Sequence, residues 1–143
     1  MNGKASGIGF LQAVFELFGI VLVRFRPMQR IWGAWLVAVN SACLFFIGHA
    51  EAQVALAAVG VAVLAQALIY QRRRFIRILG TTHIVWVPML TWMALRFDTI
   101  PAGETAFRGW LILLIATNAV SLVIDALDAT RFALGERSPY YAW

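Results

Sequence analysis

Residues 52–70 read Ala-Gln-Val-Ala-Leu-Ala-Ala-Val-Gly-Val-Ala-Val-Leu-Ala-Gln-Ala-Leu-Ile-Tyr, and the dense basic run Arg72, Arg73, Arg74 and Arg77 follows. Nineteen residues without a charge make a helix of just under 30 Å at about 1.5 Å per residue, enough to cross a hydrocarbon core of about 30 Å. Arginines directly after such a run mark the place where a helix leaves the bilayer. Ala55, Ala58 and Ala62 are spaced to let neighbouring backbones approach, which predicts a central, closely packed helix.

Working outward, the same pattern recurs. Spans are predicted over about 8–23, 31–48, 52–70, 78–95 and 109–127, with a short C-terminal tail. The first stops at Arg24-Phe25-Arg26-Pro27, where proline and charge together end a membrane segment. Trp32 and Trp35 open the second at interface depth, and it ends near His49 and Glu51. The fourth carries Pro88 and is expected to kink there. The fifth should continue past Asp125 and leave the bilayer near Arg131. The expected fold is an all-α membrane protein, a compact bundle of five transmembrane helices in one domain covering 1–143. The alternative lays the first helix flat on the membrane surface, leaving four spans.

Composition agrees with a lipid solvent. Of 143 residues 62% are hydrophobic, and the mean hydropathy is +0.77, too little polar surface to cover a water-soluble domain of this length. The net charge of +5 sits in short loops and not on a continuous face, so lipid headgroups are the expected anionic partner and nucleic acid is not. Lys and Arg also orient the chain. Arg24, Arg26, Arg30, Arg72, Arg73, Arg74, Arg77, Arg131 and Arg137 fall on one side, Lys4, Arg96 and Arg108 on the other. The expectation is a multi-pass bacterial inner-membrane protein with an outside N-terminus and a cytoplasmic C-terminus, the arginines forming a rim against lipid headgroups. If the first helix lies flat, the N-terminus is inside. The N-terminal segment carries Gln12 and Glu16 and lacks a small-residue cleavage pattern, so it is expected to be retained.

Polar residues inside apolar helices carry the functional reading. An acid within a span costs on the order of 2.5 kcal/mol or more to insert, which singles out Glu16. It is either a proton carrier or a hydrogen-bonded structural group. Counting from the arginines, Glu16 lies eight residues before Arg24, Gln66 six before Arg72, His83 six after Arg77 and Asp125 six before Arg131. Similar depths predict a polar cluster of Glu16, Gln66, His83 and Asp125, with Asn40 and Asn118 somewhat deeper. Asn118, Ser121, Asp125 and Asp128 share one face of the last helix by their spacing. Asp128 and Arg131 can pair locally, and a structural role is expected for both.

His83 can shuttle protons or bind a ligand, since an unperturbed imidazole titrates near 6.5; a packing role is the commoner fate of a lone helix histidine. No matching ligand set stands for zinc or haem, so neither metal nor cofactor is expected. Cys43, the lone cysteine, reads as a core residue. There is no nucleophile elbow, phosphate loop or metalloprotease motif, and no enzyme is expected.

Glu16 with Gly19 resembles the Glu-x-x-Gly of small multidrug resistance exporters, compact dimers in which that glutamate alternately binds proton and cation. The resemblance implies a coupling acid in a homo-oligomer; a fifth span departs from the four-helix plan of those exporters. The stretches His83-Ile84-Val85-Trp86-Val87-Pro88 and 121–139 resemble small polytopic bacterial inner-membrane proteins, which implies no activity. Two functions follow. The first is an accessory or scaffolding protein packing against partner helices and anionic lipid. The second is a proton-coupled small transporter or channel, a homo-oligomer with Glu16 as its coupling acid and His83 or Asp125 as relay.

Overall fold

Pro27 opens a helix as well as closing one. In the computed structural model, which describes residues 8–73 and 77–136, α1 (Phe10–Gly19) continues as a π-turn over Ile20–Arg24, and Phe25 and Arg26 are extended. Pro27 then takes the first position of α2 (Pro27–Ser41), where its missing N–H costs nothing and its fixed φ suits the helix. Met28 to Arg30 are therefore helical, and α2 starts four residues earlier than its hydropathy implies. It runs on as a 3-10 helix over Ala42–Phe46.

α3 (Ala50–Arg73) has 24 residues. A 3-10 segment, Arg77–Val85, leads into α4 (Trp86–Arg96), and a further 3-10 turn spans Phe97–Thr99. α5 (Thr105–Ala133) has 29 residues. It ends on Gly135 at φ 97°, with the Glu136 amide donating to the Arg131 carbonyl at 3.0 Å, a closure that needs a left-handed residue and so favours glycine. Among the described residues there is no strand. α3 and α5 are each long and apolar enough to cross a membrane.

Two packed regions hold the helices together. In the first, Val39, Cys43, Ala52, Trp86, Met93 and Leu111 bring α2, α3, α4 and α5 into contact. In the second, Ala13, Leu17, Ile20, Ala67, Tyr70 and Leu79 join α1 to the end of α3 and to the 3-10 segment. Ala55 and Ala62 are buried in α3 while Ala58 is half-buried. Large apolar side chains cover the outside, among them Phe15, Met28, Phe45 and Leu95 at 75–87% exposure. Water does not favour such a perimeter.

α1 does not run alongside α3. The Gln71 amide donates to the Ile8 carbonyl at 2.8 Å, and the Tyr70 hydroxyl donates to Glu16 Oε2 at 2.7 Å. Ile8, just ahead of α1, and Glu16 lie eight residues apart in the chain, yet they meet adjacent residues of α3. A neighbour running strictly alongside would place those contacts several residues apart, so α1 crosses the end of α3.

Candidate functional site

Three of the residues matched by depth form one hydrogen-bonded line. His83, on the 3-10 segment, places Nδ1 2.8 Å from Asp125 Oδ2 on α5, and its Nε2 lies 3.0 Å from Gln66 Nε2 on α3. With Asp125 ionised, Nδ1 carries the proton and donates to the carboxylate, and the Gln66 amide donates to the Nε2 lone pair. The side chains of His83 and Asp125 are only 14% and 15% exposed. The imidazole lies flat on Trp86, ring centroids 4.0 Å apart and planes 14° from parallel.

Gly80 makes this approach possible. A Cβ there would collide with the Asp125 carboxylate, so any larger residue pushes α5 or its aspartate away from His83.

The line can hold a proton in two states. Neutral His83 accepts from the amide N–H of Gln66. Protonated His83 donates from both nitrogens, so Gln66 must turn over and offer its oxygen. Where a nucleophilic triad would have a hydroxyl or thiol, His83 Nε2 faces an amide.

A cavity of about 260 Å³ lies against this line, where the two packed regions meet. Gln66, His83, Asp125, Asp128, Ser121 and Asn40, with Gln29 and Ser41, supply its polar groups, and most of the remaining wall is apolar and aromatic, including Phe25, Trp32 and Leu36. Trp86 also lines it. Its indole is 3% exposed, and Nε1 has no hydrogen-bond partner among the described residues.

Asn40 and Asn118 pair with each other. Each Nδ2 donates to the other's Oδ1, at 2.9 and 3.0 Å, and Asn40 also donates to the Leu36 carbonyl. The Trp110 indole donates to the Val39 carbonyl at 3.0 Å nearby. These contacts clamp α2 to α5 and leave both amides satisfied. Glu16 stands apart from the cavity wall, accepting from Gln12 at 2.9 Å and from Tyr70. Tyr70 is one turn beyond Gln66 on α3, so Glu16 neighbours the His83 line without joining it.

Asn118, Ser121 and Asp128 are buried and Asp125 is nearly so, so the spaced polar residues of α5 all face inward. Arg24, Arg26, Arg30, Arg72 and Arg131 are exposed. Arg74, Arg137 and the side chains of Arg73 and Arg77 lie outside the described set. Among the described residues no group of three His, Cys, Asp or Glu is placed to hold a metal ion.

Two features escaped the reading of the sequence. Nothing in the sequence sets Trp86 apart from the other tryptophans, and only its surroundings distinguish it. At the opposite end, Glu51 is 4% exposed and accepts from Arg96 Nε at 3.0 Å. His49 stacks on Phe107 at 3.8 Å and stands 3.4 Å from Glu104. The opposite charges flanking the two loops at that end were the available signal for this second set of contacts.

No protein family, curated protein or solved structure matches the chain.

Proposed function

We propose that the chain is a multi-pass bacterial inner-membrane protein that moves a small molecule together with a proton through the His83 cavity. The observation that carries this is the Gln66–His83–Asp125 line in the wall of an interhelical cavity. An imidazole held between a carboxylate and a reversible amide exchanges a proton while both of its ring nitrogens keep a partner in either state. The coupling group is thus His83 with Asp125 in place of Glu16, whose hydroxyl and amide partners fit a structural role.

The crossing of α1 over α3 supports the four-span threading. α2 with its 3-10 continuation, α3, the 77–99 segment and α5 cross the bilayer, and α1 lies at the arginine-rich cytoplasmic surface. The 15 residues of α2 and the five of its 3-10 continuation together reach roughly 30 Å at about 1.5 and 2.0 Å per residue. Glu16 then sits near headgroup depth, and its insertion cost largely disappears.

The test is proton flux into dye-loaded proteoliposomes under an imposed pH gradient and potential. The wild type should exceed empty vesicles. His83→Gln should lose at least about tenfold, and Glu16→Gln should keep most of the flux. A wild type no faster than empty vesicles overturns the reading, as does an undiminished His83→Gln.

The accessory role keeps one specific support. Val54, Ala57, Val61, Pro88 and Trp92 line a shallow groove between α3 and α4, and a Cβ at Gly60, on the same helix, would meet nothing. A partner helix could approach closely there. Native mass spectrometry of protein extracted with its surrounding lipid tests this. A stoichiometric second protein would favour the accessory role, and a homo-oligomer carrying a small molecule would favour transport.

A further inference from the structure

We infer that the chain from Leu17 to Phe25 is a movable strap over the His83 cavity, tethered at both ends, and that its lifting admits a molecule to the cavity. This rests on the cavity reading above and adds how the site is reached.

Leu17, Phe18, Val21 and Phe25 form one side of the cavity. The other walls are pinned to one another by hydrogen bonds. Asn40 and Asn118 join α2 to α5, where Trp35 Nε1 also donates to the Thr117 hydroxyl at 3.1 Å, and the Gln66–His83–Asp125 line joins α3, the 3-10 segment and α5. Residues 17–23 read Leu-Phe-Gly-Ile-Val-Leu-Val, without a polar side chain. Lifting them breaks no side-chain hydrogen bond of their own, and in a bilayer lipid tails replace the apolar contact they give up.

Both ends of the strap are held. Ahead of it, the Tyr70 hydroxyl on α3 donates to Glu16. At its other end the π-turn closes with the Phe25 amide donating to the Ile20 carbonyl at 3.0 Å, and Phe25 and Arg26 are extended before Pro27 opens α2. A short extended link between helical segments is where a hinge rotation is absorbed. The strap therefore turns about a line from Glu16 to Pro27 without leaving the protein. Its seat is Gly33. A Cβ added there would stand 2.5 Å from Val21 Cγ1, so glycine lets Val21 settle on α2, and any larger residue is a wedge beneath the strap.

The test is the rate at which diethyl pyrocarbonate modifies His83 in full-length Cys43→Ala protein in phosphatidylglycerol nanodiscs. Mass spectrometry reads it against His49, the only other histidine. The measurement reads access at one pH with no gradient, so it stands or fails apart from proton flux. Val21→Cys with Gly33→Cys would place two Cβ atoms 3.9 Å apart, within the span of a disulfide. Oxidising that pair should slow His83 by about tenfold relative to its reduced form. Gly33→Ala, the wedge, should speed His83 by about threefold or more. His49 should keep its rate in both, which separates lifting of the strap from general loosening. Where the cysteine pair fails to fold or to oxidise, Gly33→Ala decides alone. Equal His83 rates in the oxidised and reduced pair overturn the inference, as does a Gly33→Ala rate no higher than that of the parent protein.

Discussion

At Gly80 two opposing effects of a single methyl can be weighed. Alanine is favoured over glycine inside a helix by about 1 kcal/mol, so propensity alone predicts that Gly80→Ala stabilises the protein. The added carbon would collide with the Asp125 carboxylate, and overpacking of that kind costs about 1–3 kcal/mol. The collision wins. Gly80→Ala should lower the unfolding temperature and remove the low-field proton of the His83 to Asp125 hydrogen bond, read by NMR. Gly60→Ala, where a Cβ meets open space, should stabilise slightly. A Gly80→Ala protein that melts higher and keeps that proton would show that the close approach is not needed. Counting residues from the flanking arginines was enough to bring Gln66, His83 and Asp125 to one depth, because helical rise is nearly constant. The same counting could not separate Glu16 from them, since depth along a helix does not say which neighbour a side chain meets. Nor could it show that Asn40 and Asn118 satisfy each other, because azimuth across a bundle is set by packing.

The segment Arg77–Val85 presents His83 to both of its partners. The proline that follows it, Pro88 in α4, was legible, but as a kink, and the structure uses it otherwise. Pro88 has no N–H to offer the Ile84 carbonyl, so the α ladder cannot continue upstream through it, and the chain before Trp86 is 3-10. A 3-10 helix turns about 120° per residue and an α-helix about 100°. Over the three residues from Trp86 back to His83, the difference amounts to about 60°, which decides whether the imidazole faces Gln66 and Asp125 or turns away from them. Pro88→Ala should therefore let α4 extend upstream and turn His83 out of line. Proton flux should fall about as far as in His83→Gln while the unfolding temperature holds or rises, since alanine is the better helix former. Loss of flux with intact stability separates this from simple unfolding. Unchanged flux and an unchanged His83 hydrogen-bond signal would mean that tertiary packing, and not the proline, holds the segment in 3-10 form.

At the scale of the whole molecule, the placement of α1 decides the topology. Hydropathy and length made 8–23 a plausible span, and the charge count was compatible with either threading, so the sequence had no means of choosing. The four-span proposal rests on two long side chains on adjacent residues of α3, Tyr70 and Gln71, which hold Glu16 of α1 and Ile8 just ahead of it. If α1 lies across the cytoplasmic surface, the chain begins on the side where α3 ends. Arg96 and Arg108 are then the basic residues left at the far end, a stronger asymmetry than five spans allow. Cysteine labelling in intact cells tests this. Cys43 is 1% exposed and is first replaced by alanine to clear the background. Gly3→Cys should then resist a membrane-impermeant maleimide until the membrane is opened, and Ala102→Cys, in the loop before α5, should react at once. Equal labelling of both positions in intact cells would put the N-terminus outside and restore the fifth span. That outcome would return Glu16 to the hydrocarbon, where its hydrogen bonds to Tyr70 and Gln12 would have to offset the cost of burying an acid. Glu16→Gln would then be expected to change proton flux, in place of leaving it largely intact.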